Sequence, residues 1–204
     1  MIKLIKVYIA TTTGLTAIQR ITEEDPELNS VVCLSGKAIS LPISAAYDTF
    51  VRNPTGVVQR CFGHSAFRVD VSSTIDQGYS WQLGLIIAHA LKNENRLSRP
   101  DSKKFDTIIT TGEVDRDLRV LPVNNISEKF KNLEEKLQSI GVSPENTILV
   151  VPTGNEEAVT GVIPESYIEI LPVDNVNQIF DHITLPLVKI GHSVLSMERS
   201  KKMV

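Results

Sequence analysis

Apolar residues alternate or run together over 4–10, 15–21, 31–34, 67–71, 105–110, 120–123, 147–151 and 167–171, and each stretch reads as a β-strand. Elsewhere apolar positions recur every three or four residues. That spacing predicts helices over 42–53, with Pro42 in the first turn, over 80–92, and over 126–140, which Gly141 stops. Shorter helices are expected over 155–159 and 175–182. Several strands precede the first helix, after which helices and strands alternate, so the class is α/β or α+β. The polar run 93–104 reads as a surface loop, and beyond residue 187 the periodicity fades into a tail or linker.

Composition narrows the field. A chain of 204 residues, 42% hydrophobic and 22% charged, can build one domain around a real core. A net charge of -3 leaves no basic footprint, and 5% aromatic content offers few bases a stacking platform, so no nucleic-acid partner is expected. The early apolar stretch from Ile2 to Ala10 is interrupted by Lys3 and Lys6 and followed by Thr11-Thr12-Thr13-Gly14; it suits a strand, and no membrane partner is expected. Cys33 and Cys61 lack metal-ligand spacing and are read as reduced, half-buried thiols of a cytoplasmic protein. His64, His89, His182 and His192 are scattered, no G-x-x-x-x-G-K-[ST] loop occurs, and no cofactor is implied.

Four pieces share a further pattern. Gly78-Tyr79-Ser80 opens a helix; Thr111-Gly112-Glu113-Val114 is followed by Arg119-Val120-Leu121-Pro122-Val123; Val150-Val151-Pro152 precedes Asn155-Glu156-Glu157; and Ile168-Glu169-Ile170-Leu171-Pro172-Val173 closes the series. In order and spacing they resemble the proteolytic domain of the Lon protease family, serine peptidases commonly attached to a ring-forming ATPase. The resemblance implies an α+β fold, a mixed sheet with flanking helices of the kind also found in a ribosomal-protein domain. It would occupy residues 1–183, clearest over 67–182, with 184–204 as a C-terminal tail or linker. It further implies a polypeptide substrate or protein partner, an unfolding ATPase supplied by another chain or region, and assembly into a homo-oligomer, a hexamer by family analogy.

The family pairs the serine of a G-P-S-A-G turn with the lysine of an L-P-x-G-G-x-K-E-K segment. A serine hydroxyl needs a nearby base, and lysine serves only where a dry pocket favours its neutral form. By resemblance Ser80 takes the nucleophile position and Thr111 that of a threonine supporting the dyad. Tyr79, Trp81 and Gln82 replace the proline, alanine and second glycine of the turn, and the indole is expected to crowd the approach of a peptide carbonyl.

Two registers compete for the lysine. Aligned without a gap, Asn124 and Asn125 fall on the glycines, Ile126 on the apolar position and Ser127 on the catalytic lysine; a two-residue insertion brings Lys129 there instead. The ungapped register keeps Ile126, Phe130, Leu133, Leu137 and Ile140 as one buried stripe, whereas the shifted one puts Glu128 at the apolar place. The expectation is therefore Ser127 at the base position. Lys129, the substitute base, would lie about 200° around the helix from it and not stand in directly.

Other candidates carry blander roles. His64 reads as a loop histidine, and His89 and Lys92 lie too far along the helix that Ser80 opens. Arg68 and Asp70, at places where some Lon proteins carry a histidine pair, read as a solvated edge with a local ion pair. Glu113 is expected to bond backbone amides in the loop after it. Two functions follow: a Lon-like serine peptidase with an atypical or recruited base, or a non-catalytic Lon-fold module for assembly or partner binding.

Overall fold

A computed structural model describes residues 3–75, 77–163 and 167–187; the expected tail lies outside the described residues from position 188 on. Among the described residues, nine strands form two sheets: β1 Ile5–Ala10, β2 Leu15–Glu23, β3 Val31–Leu34, β4 Phe67–Val71, β5 Asp106–Thr110, β6 Glu113–Val114, β7 Val120–Leu121, β8 Thr147–Pro152 and β9 Glu169–Val173. Seven make a mixed sheet in the order β3-β4-β2-β1-β5-β8-β9, and β6 and β7 pair as a small antiparallel ribbon. The β1–β2 and β2–β4 contacts are antiparallel; the other four in the large sheet are parallel.

The chain is thus mixed α/β, with helices covering the sheet. On one face, Ile5, Val7 and Ile9 of β1, Ile108 of β5 and Val150 of β8 join a core with the helices α1 Ser44–Val51, α2 Val58–Phe62, α3 Gln82–Asn93 and α7 Val176–His182. Tyr8, Ala10, Ile109, Leu149 and Val151 point the other way, into a second core with α4 Ile126–Phe130, α5 Leu133–Ser139 and α6 Glu156–Thr160. Central strands covered on both sides need apolar residues at both parities, as the consecutive apolar pairs or runs of β1, β5 and β8 supply.

Three elements depart from expectation. The predicted helix over 126–140 is two helices, because Lys131 is extended (ψ 134°) and Asn132 left-handed (φ 56°). α2 was not expected: five residues are too short to display a period. α1 begins at Ser44, just after Pro42 rather than around it. Cys33 is buried rather than half-buried, whereas Cys61 is half-buried and its thiol is pushed up to about 11 by burial. Among the described residues, no helix is long and apolar enough to cross a membrane, and no group of three or more His, Cys, Asp or Glu side chains could hold a metal.

His89 of α3 lies in the larger core. Its Nε2 shares a hydrogen bond of 2.8 Å with the Tyr47 hydroxyl, and the Phe67 ring meets it edge-on at 4.5 Å. Desolvation, aided by the charge of Lys92, pulls its pKa down to about 3. The imidazole is therefore neutral in the fold, while the unfolded chain takes up a proton below the ordinary histidine range. Folding stability from this group is intact above about pH 6.5 and is lost as pH falls toward 3, by up to about 1.4 kcal/mol per pH unit. Urea denaturation at pH 7 and pH 5 is expected to show this loss, and the double variant His89→Leu/Tyr47→Phe a smaller one. An equal loss in both proteins would refute the assignment.

Candidate active site

Ser80 sits at the end of a loop that the sheet holds in place. Leaving β4, the loop is fixed to β2: Ser72 Oγ accepts from the Ala17 N–H at 2.8 Å, Thr16 Oγ1 and Ser73 Oγ share a hydrogen bond of 2.8 Å, and Thr16 Oγ1 donates to the Thr74 carbonyl at 3.1 Å. Gly78 then takes a φ of 118°, a conformation side chains rarely adopt, and turns the chain into α3. Ser80 is half-buried, one residue ahead of the N-cap Trp81.

The indole does not crowd the approach to Ser80. Trp81 is fully buried, edge-on to Phe50 at 5.7 Å and to Tyr47 at 6.3 Å, and its Nε1–H donates to the Gly78 carbonyl. Its bulk faces the larger core because the aromatic rings of α1 receive it there. It is a packing residue.

The segment after β5 binds both sides of the site. Gly112 N–H donates to the Ser80 carbonyl at 2.9 Å, and its own carbonyl accepts from Leu83 N–H at 3.0 Å. A Cβ at Gly112 would come within 2.8 Å of Leu83 Cδ2, so glycine permits this close approach. Gln82 adds a third tie, its Oε1 accepting from Val114 N–H at 2.9 Å. Next to Gly112, the fully buried Thr111 accepts at Oγ1 a hydrogen bond of 3.0 Å from Lys129 Nζ.

Lys129 is only 5% exposed. With Ser80 and Glu113 it lines a pocket of about 410 Å³, edged by Tyr79 and the loop of Asn124 and Asn125. Ser127 is exposed and is not part of the pocket lining, the reverse of the ungapped expectation. Most of the expected stripe is present nonetheless: Ile126, Phe130, Leu133 and Leu137 are buried, Ile140 is half-buried, and Glu128 is exposed. Stripe and buried lysine were never alternatives. Lys129 follows Ile126 by three residues and lies about 60° from it around the helix, on the inward face, whereas Ser127 is rotated outward by about 100°.

The remaining candidates lie elsewhere. Arg68 Nε and Nη2 donate to Asp70 Oδ1 at 3.0 and 2.9 Å, away from the pocket lining; the local ion pair is as expected, but the solvated edge is not, because β4 lies between β3 and β2 and Asp70 is buried. His64 Nε2 bonds the Glu24 carbonyl at 2.8 Å, and Lys92 pairs with Glu23. Glu113 does not tie the following loop; Asp115 does, its Oδ1 accepting from the N–H groups of Asp117 and Arg119 at 2.8 and 2.9 Å. Asp115 lies two residues nearer the turn, within reach of those amides, and Glu113 faces the pocket.

Two contributors had no assigned role. Thr12, at the β1–β2 turn, lines the pocket from a strand pair distant in sequence. Asn155 pins the pocket loop: its Oδ1 accepts from Val123 N–H at 2.8 Å and its Nδ2 donates to the Val123 carbonyl at 3.0 Å. Its place in one of the four quoted pieces was the only signal. Comparison with protein-family models and with curated proteins returned no match. The functional reading therefore rests on the motifs and the geometry.

Proposed function

We propose that this chain is a serine peptidase of the Lon proteolytic type acting on polypeptides, with Ser80 as nucleophile, Lys129 as its base and Thr111 orienting the amine. The observation that carries the reading is the buried Lys129 amine, 3.0 Å from Thr111 Oγ1, in a pocket it shares with Ser80. In further support, three of the four motif pieces meet at one place: the turn before α3, the segment after β5, and the Asn155 clamp on the pocket loop.

In this reading the neutral Lys129 amine takes the Ser80 hydroxyl proton as Oγ attacks the substrate carbonyl carbon. The tetrahedral oxyanion is met by backbone N–H groups at the start of α3. The Gln82 and Leu83 amides already donate to the Tyr79 and Gly112 carbonyls, so this task falls to Ser80 and Trp81. The Lys129 ammonium then gives its proton to the leaving amine, and the acyl-enzyme remains. Water, deprotonated by the same amine, hydrolyses the ester and restores the serine. By the same family resemblance, a separate ATPase supplies unfolded substrate and the domain works within a ring.

Labelling with a fluorophosphonate or a peptide boronate tests the reading. Covalent or slow-dissociating modification is expected in the native chain and absent in Ser80→Ala. Labelling that persists in Ser80→Ala, or none in the native chain, would reject it and leave the non-catalytic partner-binding module.

A further inference from the structure

The hydrogen bonds around Lys129 continue beyond its amine. In an unbroken helix its carbonyl would accept from the N–H four residues later, but the extended Lys131 and left-handed Asn132 interrupt that ladder. Lys136, on α5, reaches back over the break, and its Nζ donates to the Lys129 carbonyl oxygen at 2.8 Å. We propose that Lys136 is a positioning residue: its amine stitches α5 to α4 at Lys129 and fixes the direction in which the Lys129 side chain enters the pocket. The inference rests on the peptidase reading of that pocket.

Lys129 is then held at three points. Its N–H donates to the Asn125 carbonyl at 3.0 Å, its carbonyl accepts from Lys136, and its own Nζ donates to Thr111. The first two hold the backbone on either side of the Cα, and the third holds the tip. Without the Lys136 contact, α4 is a helix of five residues followed by a reversal, and the Lys129 carbonyl loses the bond that ties it across the break to α5. Catalytic groups lose rate steeply when displaced by an ångström, so a contact that never touches substrate can govern turnover. Lys136 is itself half-buried; desolvation draws its amine below the ordinary lysine range, against the opposing charge of Glu128. A donor partly withdrawn from water gains more from a carbonyl than an exposed one.

The test compares Lys136→Met, which keeps the length and loses the donor, with Lys136→Arg, which keeps a donor. In peptide hydrolysis, Lys136→Met is expected to lower kcat about tenfold at unchanged KM, with Lys136→Arg within about threefold of the native chain. A second readout needs no activity: trace acetylation of the Lys129 amine by acetic anhydride, followed by mass spectrometry, is expected to be several-fold faster in Lys136→Met only. Equal acetylation of Lys129 in all three proteins, or methionine and arginine variants alike in kcat, would overturn the proposal. If the native chain shows no Ser80-dependent turnover, the peptidase reading fails, and the acetylation comparison still decides whether Lys136 holds Lys129.

Discussion

Lys129→Met is expected to slow Ser80-dependent acylation about a thousandfold, near the middle of the range for losing a positioned general base. Methionine has nearly the length of lysine and suits a site that is 5% exposed, so the protein should stay folded. The structural loss is the hydrogen bond to Thr111 Oγ1, worth about 1 kcal/mol. The chemical loss is larger, because the described lining holds no second amine and Glu113, the carboxylate there, is a much weaker base. Ser127→Ala should be without effect, since Ser127 is exposed and outside the lining. Stopped-time labelling of the three proteins checks all of this. Native rates in Lys129→Met, with a loss in Ser127→Ala, would restore the opposite register.

The sheet was legible because its strands leave a strong mark in sequence. β3 and β4 run over Val31–Leu34 and Phe67–Val71, the bounds the apolar runs indicate, and β1, β5 and β8 fall within one residue of expectation. The pocket was legible only in pieces. Ser80 and Thr111, singled out from separate motif pieces, are brought together by the Gly112–Ser80 bond. Lys129 was set aside because the choice of register turned on the apolar stripe and on Glu128, neither of which says how a lysine three residues after Ile126 is placed. Its angular position does, and Thr111 supplies the partner that makes its burial tolerable. The break at Asn132 lacks proline or glycine and so gives no sign in sequence; a long-range contact from Lys136 accompanies it. The direction of Trp81 depended on Tyr47 and Phe50, some thirty positions earlier, which no local pattern connects to it.

Trp81→Ala is expected to cost about 3–5 kcal/mol, the range for truncating a fully buried large aromatic. Against a domain stability of about 5–15 kcal/mol, that loss unfolds much of the population at moderate urea. The cavity would open between α1 and the start of α3, where Tyr47 and Phe50 lose the ring they meet edge-on. Trp81→Phe separates packing from tethering: it keeps an aromatic ring and removes only the Nε1–H bond to the Gly78 carbonyl. Its stability loss should be nearer 1–2 kcal/mol, or about the sum of one hydrogen bond and some buried area. Its effect on Ser80 labelling should nevertheless be marked, because that bond closes the turn whose glycine holds a φ of 118° two residues before Ser80. Urea midpoints for both variants and labelling rates for the phenylalanine variant check the argument. A Trp81→Ala protein within 1 kcal/mol of the native chain, estimated at about the scale of a surface change, would mean that the indole does not anchor the turn. As the structure stands, one side chain serves both ends: its ring completes the core under α1, and its N–H fixes the turn that presents Ser80 to the pocket.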